Sequence, residues 1–455
     1  MIKKLFLPLL ALALGACNEH DDIENVASIE NIKKNTTFHN VTNYIHFVKN
    51  GGTKSRSAVM NSINPYLNEN GDTIAYIANY DEGWELLSND RRTPMVLASS
   101  DKGSFNLDEI KENDNLNSYW NSIEDGLTAL KEVPATENDT LGTGWNAYYL
   151  ENGNVAEEDL VRTSATYVGA TPGENGYWEV IDSQTETTID EQSNHAITTT
   201  WDQYMNSFIP KKQNDQGEWV NCPTGCTAIA GAQYLYYLHH KNNMPQYMVD
   251  NVTYNATTYN YTFSGNSEEV WEYMEDLHVG EYYKHLMIGY VAQNVSTSFG
   301  LTSTVGDKDK LKNLINSYGY NYSWHEYSSN SIINLLKQHG AILTITTNNN
   351  SRSNNSIAPH ALIIDAYKIE TTETITTYGW VGEDSNGMDT NLRDFEGNII
   401  GYGFTTTKTT KNTQKIISMN WGIDRSGTYN DIGFAVETPT WVAGNLSYNY
   451  RIVLY

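Results

Sequence analysis

Apolar residues between positions 72 and 105 fall in three short runs separated by turn-forming residues. The first run carries Ile74, Tyr76 and Ala78 at every second position. Turn-forming sequences at 81–83 and 92–94 precede the two further runs. Short runs of this kind, bounded by turns, predict the strands of an antiparallel sheet.

A helical period follows the predicted sheet. Apolar residues recur there at three- and four-residue spacing: Leu116, Tyr119, Trp120, Ile123, Leu127 and Leu130. This spacing places them on one face of a helix, and Pro134 marks its end. Sheet and helix together predict a small α+β unit.

The remainder of the chain divides into a segment without a period and a second unit. Residues 134–200 are rich in Thr, Glu, Asp, Gly and Asn, so we expect a linker within them. The second unit begins near Trp201, and its pattern predicts helices from Cys226, around 283–299, near 308–318 and near 331–339. Buried strands are predicted at 341–346 and 361–367, and the polar strands of a long hairpin at 370–377 and 403–415.

Length and charge narrow the class of protein. A chain of 455 residues is expected to form two or three domains. Its formal net charge is -26, and its 29 lysines and arginines are spread along the chain. Nucleic-acid binding needs clustered basic side chains, so nucleic acid is excluded as a partner.

The first 17 residues have the pattern of an export signal. Lys3 and Lys4 precede an apolar run at 5–14, and the sequence Leu-Gly-Ala-Cys ends at Cys17. The run is shorter than the roughly 20 residues that a membrane-spanning helix needs. The segment resembles a bacterial lipoprotein signal, which implies cleavage before Cys17 and a diacylglycerol on its thiol. The polar residues 18–40 are interpreted as a tether.

This resemblance implies a place in the bacterial envelope. The protein would be lipid-anchored at the outer membrane or the cell surface, and the lipid would be its only contact with the membrane. Release after maturation is left open.

One cysteine stands where a helix start can activate a thiol. Residues 221–240 read NCPTGCTAIAGAQYLYYLHH, so a Pro-Thr-Gly turn places Cys226 at the first position of the predicted helix. The positive end of a helix and a nearby imidazolium lower a thiol pKa from about 8.5. The residues alone leave three alternatives open: a buried structural cysteine, a disulfide with Cys222, and a zinc site with His239 and His240.

Partners for such a nucleophile stand on both sides of it. His360 follows Cys226 by 134 residues, a separation typical of papain-like enzymes. Asn420 follows at a strand end and is the candidate that orients the imidazole, with Trp421 shielding that bond from water. Gln203 is the candidate oxyanion donor, because a well-aimed amide contributes about 3 kcal/mol to lowering the barrier. The alternative for Gln203 is an ordinary exposed glutamine.

Several motifs resemble the streptopain family of papain-clan cysteine peptidases. The sequence TGCTAIAGAQ around Cys226 is similar to the family's TGCVATAxAQ, and HALIIDAY from His360 is similar to its GHAFVIDGY. The family's NWGWGG begins as Asn420-Trp421-Gly422 here, and its WxQ matches the sequence that ends at Gln203. These motifs cover most of residues 195–455.

The resemblance implies an α+β, papain-like cysteine peptidase fold, with a helical half and an antiparallel β-sheet or barrel half, at residues 196–455. It implies a Cys226 nucleophile, a His360 base, and oxyanion donors from Gln203 and the Cys226 main chain. Either Asn420 or Trp421 would orient the imidazole, since the resemblance implies a role for the tryptophan beside the asparagine. Polypeptides would be the substrates, and no metal or organic cofactor is required.

A second resemblance lies in the N-terminal unit. The sequence GWELLSNDRRTPMVLASSDKGSF at 83–105 is similar to the streptopain-type propeptide pattern GFVIISADDRxxPVLGYSxxGSF. It implies a zymogen whose propeptide domain, residues 41–135, is an intramolecular inhibitor. Residues 136–195 would be a linker with the maturation site.

Three departures from the family pattern leave other functions open. Pro359 replaces a glycine before the histidine, Ile423 replaces the second Trp of NWGWGG, and His360 and Asn420 are 60 residues apart. An inserted β-arm near the active-site edge would explain that separation. The rival functions are a catalytically inert papain-like surface binding protein and a papain-clan amidase or acyltransferase.

Overall fold

The computed structural model describes residues 60–112, 114–134, 139, 142–145, 161–165, 172–199, 201–202, 211–242, 252–256, 259–263, 280–301, 304–346, 360–422, 432–438, 441–443, 446–448 and 451–455. The predicted signal and tether, including Cys17, lie outside these residues.

Helices occur in both predicted units. They are α1 (Leu107–Glu112), α2 (Asp114–Lys131), α3 (Cys226–Asn242), α4 (Gly280–Asn294), α5 (Lys308–Asn316) and α6 (Ile332–His339). The helices predicted from apolar spacing are therefore confirmed, with ends that differ by a few residues. Among the described helices, none is both long enough and apolar enough to cross a membrane.

The first strands are β1 (Met60–Leu67), β2 (Thr73–Tyr80), β3 (Trp84–Ser88), β4 (Val96–Ser100), β5 (Val161–Ala165), β6 (Pro172–Gln192), β7 (Lys211–Gln213), β8 (Trp219–Asn221), β9 (Val252–Ala256), β10 (Tyr259–Phe263) and β11 (Ser298–Phe299). The others are β12 (Thr304–Val305), β13 (Trp324–Glu326), β14 (Ile342–Thr346), β15 (Ala361–Asp384), β16 (Leu392–Arg393), β17 (Ile399–Gly401), β18 (Phe404–Asn420), β19 (Gly433–Ala435), β20 (Trp441–Ala443), β21 (Leu446–Tyr448) and β22 (Arg451–Leu454).

One large antiparallel sheet organises this mixed α and β fold. Its strand order is β1-β2-β3-β4-β19-β18-β15-β14-β22-β13, and β5 and β6 join it beside β18 and β15. The sheet runs through both predicted units, because β4 of the N-terminal unit pairs with β19. Residues within 60–134 are thus bonded directly to the sheet that carries the later strands.

Alternate residues of the central strands face two different cores. Leu343, Ile345 and Ile363 lie in one core with α3, α4 and α5. Their neighbours Ile342 and Ile364 lie in the other core with α2 and α6. Because side chains of a strand alternate between its faces, helices cover the sheet on both sides.

Helix α2 packs one apolar face onto the N-terminal part of the sheet. Its six predicted core residues are each at most 2% exposed. Trp120 also donates from Nε1 to the hydroxyl of Tyr66 on β1, at 2.9 Å. Strand β1 was not predicted from the sequence, because Pro65 and several polar residues interrupt its apolar pattern. A proline is tolerated there because β1 is an edge strand of the sheet.

Arg92 links the turn between β3 and β4 to the end of α2. Its guanidinium forms two hydrogen bonds with Asp90, of 3.0 and 2.7 Å, and donates to the carbonyls of Leu130 and Val133. The Arg92 side chain is 1% exposed and that of Asp90 is 11% exposed. The guanidinium therefore bonds one carbonyl in the last turn of the helix and one just beyond it.

Replacing Arg92 by methionine is expected to lower the free energy of unfolding by about 3–5 kcal/mol, because it leaves the Asp90 carboxylate buried without its cation. Urea denaturation of the full chain measures this loss. The matched control is Arg393→Met, which removes an exposed ion pair with Asp389 and is expected to cost about 1 kcal/mol or less. Equal losses in the two variants would contradict the role assigned to Arg92.

The predicted long hairpin is confirmed, and it forms an arm with a third strand. β15 and β18 pair from Ile363 and Asn420 to Gly379 and Thr405. Strand β6 pairs along the other side of β15, although it lies inside the predicted linker 136–195. The sequence did not predict β6 as a strand because Thr, Glu and Asp dominate it. Its partner β15 is also polar along the arm, so β6 needs few apolar residues to pair with it.

Candidate active site

A tight turn places Cys226 at the first position of α3. Gly225 has φ of +94°, a conformation that a side chain strains, and a Cβ there would lie 2.8 Å from the Thr304 methyl carbon. The Thr304 hydroxyl donates to the carbonyl of Pro223 at 2.6 Å and holds the turn closed. Thr304 thus fixes the direction from which the chain enters the helix.

Helix α3 is buried in the core between the sheet and helices α4 and α5. Gly231 allows α3 to pack closely against α4 and α5. A Cβ at this position would lie 2.6 Å from a methyl of Leu311 on α5 and 2.9 Å from a methyl of Val291 on α4. Cys226 itself is 6% exposed. The sulfur therefore sits on a rigid element at the border of a packed core.

His360 directly precedes β15, and Thr346 at the end of β14 holds its main chain. The amide N–H of His360 donates to the Thr346 hydroxyl at 2.9 Å, and the amide N–H of Thr346 donates to the His360 carbonyl at 2.8 Å. The pairing of β14 with β15 continues from these bonds. The position of His360 is thereby fixed by the sheet.

The structure brings Cys226 and His360 together. The His360 side chain hydrogen-bonds the Cys226 sulfur, the amide N–H of Ala361 donates to it at 3.3 Å, and Thr227 contributes a side-chain hydrogen bond. Burial raises the pKa of the Cys226 thiol, but the His360 hydrogen bond and charge, with the other two donors, outweigh burial and leave this pKa below its ordinary value. The surroundings of Cys226 therefore favour its thiolate, which is the reactive form of a cysteine.

Cys222 provides an internal comparison. It is 1% exposed, and burial raises its thiol pKa. Both cysteines are free thiols, so the alternative of a Cys222–Cys226 disulfide is not realised in the structure. The part of the chain that is described contains no group of three or more His, Cys, Asp or Glu side chains placed to hold a metal ion.

The two thiols are expected to differ in the pH dependence of alkylation. The thiolate is the form that reacts, so the alkylation rate rises with pH around the thiol pKa. The pH midpoint of this rise is expected below about 8.5 for Cys226, whose pKa is lowered, and above about 8.5 for Cys222, whose pKa is raised. Iodoacetamide labelling followed by peptide mass spectrometry measures both rates. His360→Gln is expected to move the Cys226 midpoint upward and to leave Cys222 unchanged. A Cys226 midpoint at or above that of Cys222 would refute the dyad.

The side chain of Asn420 has partners other than the one predicted. Its Oδ1 accepts from Gln233 Nε2 at 3.1 Å and from the amide N–H of Gly422 at 2.9 Å, and its Nδ2 donates to the Thr199 carbonyl at 3.3 Å. The Thr199 hydroxyl closes the ring by donating to Gln233 Oε1 at 2.7 Å. These buried bonds tie α3 to the end of β18, and the predicted role of Asn420 in orienting His360 stays a prediction.

Trp421 is fully buried beneath the N-terminal unit. Its ring lies 5.4 Å from that of Tyr119 on α2 and 5.8 Å from that of Phe434, measured between ring centroids. The hydroxyl of Tyr119 donates to the Thr438 carbonyl at 2.7 Å. The predicted propeptide domain therefore contacts the residue next to Asn420.

A second histidine, which was not singled out from the sequence, contacts a buried carboxylate of β15. His195 Nδ1 lies 2.9 Å from Oδ1 of Asp365, whose side chain is fully buried. Asp365 is the bulged residue of β15, and bulges re-aim side chains. The HALIIDAY motif contained Asp365, but no spacing rule indicated its partner.

Gln203, Pro359 and Ile423 lie outside the described residues. The oxyanion role of Gln203 therefore stays a prediction, as do the effects of the two substitutions. Gln233, Thr199 and Thr346 are among the site contacts that sequence reasoning missed. Of these, only Gln233 carried a signal, through its place in the TGCTAIAGAQ motif.

Comparisons with known proteins leave the family of this chain open. No protein-family model and no curated protein sequence matches it. One solved structure with similarity is a mutant fragment of prointerpain A from Prevotella intermedia. The TM-score is 0.44 at 13% identity, over 87% of this chain and 98% of that chain. A TM-score below 0.5 establishes neither a shared fold nor an activity.

Proposed function

We propose that the protein is a cysteine endopeptidase of papain-like type, made as a zymogen. The observation that carries the proposal is the contact between His360 and the Cys226 sulfur at the first turn of α3, which leaves the thiol pKa lowered. A buried structural cysteine does not need a hydrogen-bonded imidazole, whereas a nucleophilic thiolate does.

The proposed reaction begins with a pair of charges, the Cys226 thiolate and the His360 imidazolium. The sulfur attacks the carbonyl carbon of a peptide bond, and the carbonyl π electrons move to oxygen. The main-chain N–H of Cys226, free of an intrahelical acceptor at a helix start, and the Gln203 side chain donate to that oxyanion. His360 gives its proton to the departing amine as the C–N bond breaks and a thioester forms.

Hydrolysis of the thioester restores the enzyme. His360 takes a proton from water, the resulting hydroxide oxygen adds to the thioester carbon, and collapse expels the Cys226 thiolate. No step calls for a metal or an organic cofactor. The lowered pKa of Cys226 favours both its attack and its departure.

The N-terminal unit is proposed to be the inhibitory propeptide. Its support is the interface just described: β4 pairs with β19, and Tyr119 covers Trp421 beside Asn420. Lipid attachment at Cys17 and a place in the bacterial envelope complete the proposal, on the strength of the N-terminal sequence pattern.

An epoxysuccinyl probe specific for activated cysteines tests the proposed function. We expect labelling of Cys226, little labelling of Cys222, and release of peptides from denatured casein after the N-terminal unit has been removed. Labelling without casein hydrolysis would favour an amidase or acyltransferase. Neither labelling nor hydrolysis, with the protein folded, would favour the inert binding protein.

A further inference from the structure

Residues 172–199 are bonded to the later part of the sheet along their length. Strand β6 pairs with β15 from Gln192 and Lys368 to Pro172 and Asp384. The main-chain contacts continue beyond the strand, because the amide N–H of Ser193 donates to the Tyr367 carbonyl at 2.9 Å. The amide N–H of Ala196 donates to the Asp365 carbonyl, also at 2.9 Å. This segment thus behaves as a sheet strand and its extension.

Residues that follow β6 supply partners for the buried carboxylate of Asp365. The Asp365 carboxylate accepts a 3.2 Å hydrogen bond from the amide N–H of Ile197 and contacts His195. A carboxylate that is fully buried needs such partners. Removal of residues 195–197 would take these partners away from Asp365 near the start of β15, five residues from His360.

The following residues reach the helix that carries the nucleophile. Thr199 donates to Gln233 on α3 through its hydroxyl and accepts from Asn420 through its carbonyl. A chain that began after Thr199 would therefore lose one member of the ring that joins α3 to β18.

Strand β6 also has features that protect its outer edge. Its sequence carries six carboxylates and no lysine or arginine. Register shifts near Ile181 and Asp190 add bulges to it. Charges and bulges blunt an edge strand against pairing with another extended chain.

We propose that residues 172–199 are the first segment of the peptidase, and that activating cleavage falls N-terminal to Pro172. This inference rests on the proposed zymogen function. The peptidase domain would then begin before β6, and not after residue 195, where the predicted linker ends. Cleavage requires the scissile segment to leave the sheet. Within β6 that step breaks main-chain pairing with β15, and between 195 and 199 it breaks the contacts of Asp365 and Gln233.

The N-terminus of the active fragment tests the proposal. The full-length protein is allowed to process itself, the probe-labelled fragment is isolated, and its N-terminus is read by mass spectrometry. We expect it at or before residue 172. An N-terminus at any position from 173 onward overturns the boundary.

A second measurement separates this inference from the proposed activity. Full-length Cys226→Ala is digested briefly with thermolysin, which needs no activity of the chain itself. A resistant fragment that begins at or before residue 172 is expected, even where the wild-type protein neither labels nor processes itself. Early thermolysin cuts between 173 and 199 would overturn the inference and leave the proposed function untouched.

Proline variants of Cys226→Ala test whether the pairing of β6 is the cause of protection. In an antiparallel pair, the N–H groups of adjacent residues point to opposite sides, so either Thr187→Pro or Thr188→Pro removes a bond to β15. We expect one of the two to admit new thermolysin cuts within β6, and the controls Thr187→Ala and Thr188→Ala to admit none. No new cuts in either proline variant would contradict the mechanism.

Discussion

Replacement of Cys226 by alanine is expected to lower the rate of peptide hydrolysis by about 10,000-fold or more, since the nucleophile of a covalent mechanism has no substitute. The sulfur is the atom on which the His360, Ala361 and Thr227 donors converge. Hydrolysis of a fluorogenic peptide by processed enzyme measures the loss. Because the variant cannot cleave itself, the N-terminal unit is removed from both proteins with an added protease.

If Cys226 and His360 act as a catalytic dyad, replacing both residues has a predictable effect on the rate. Residues that act as one unit are non-additive, so Cys226→Ala with His360→Ala is expected to be no slower than Cys226→Ala alone. Cys222→Ala is the matched control, a buried cysteine four residues away, and is expected to retain most activity. Substantial hydrolysis by Cys226→Ala, or equal losses at Cys222 and Cys226, would rule out the proposed nucleophile.

Local patterns predicted the elements whose apolar residues face a core. Helix α2 was predicted from six residues at helical spacing, and all six are buried. Strands β2, β3 and β4 were predicted from short runs between turns, and they pair in sequence order. Such elements can be predicted from sequence, because burial of one face imposes a regular spacing on their apolar residues.

Elements whose partners are polar or distant left no such pattern. Strand β6 is stabilised by pairing with β15 on an arm rich in threonine, including Thr185–Thr374 and Thr187–Thr372 hydroxyl pairs. The joint between β4 and β19 likewise depends on residues more than 300 positions apart. Neither feature has a period that a single sequence displays.

The same distinction applies to the candidate site. Cys226 and His360 could be predicted because a helix start, a turn and a chain separation are readable in sequence. The contacts of Asn420 could not, because its side chain meets Gln233 and Thr199 only after three separate elements have packed. A motif specified that an asparagine belongs there without specifying what it bonds.

Asn420→Ala is accordingly expected to lower the free energy of unfolding by about 3 kcal/mol or more. The change leaves Gln233 Nε2, the Gly422 N–H and the Thr199 carbonyl without this partner in a buried setting, and each unsatisfied polar group costs about 1–3 kcal/mol. Urea denaturation in the Cys226→Ala background measures the loss without self-cleavage. Asn412→Ala, the same substitution at a half-buried position of β18, is the control and is expected to cost less than about 1 kcal/mol.

A double variant distinguishes this structural contact from orientation of the imidazole. Gln233→Met keeps the side-chain size and removes the hydrogen bonds, so its cost combined with Asn420→Ala is expected to be smaller than the sum of the two single costs. If Asn420 instead oriented His360, its replacement would change the pH dependence of Cys226 alkylation while the unfolding free energy stayed near that of the control. Additive costs with an altered pH profile would therefore support the orienting role that the motif implied for Asn420.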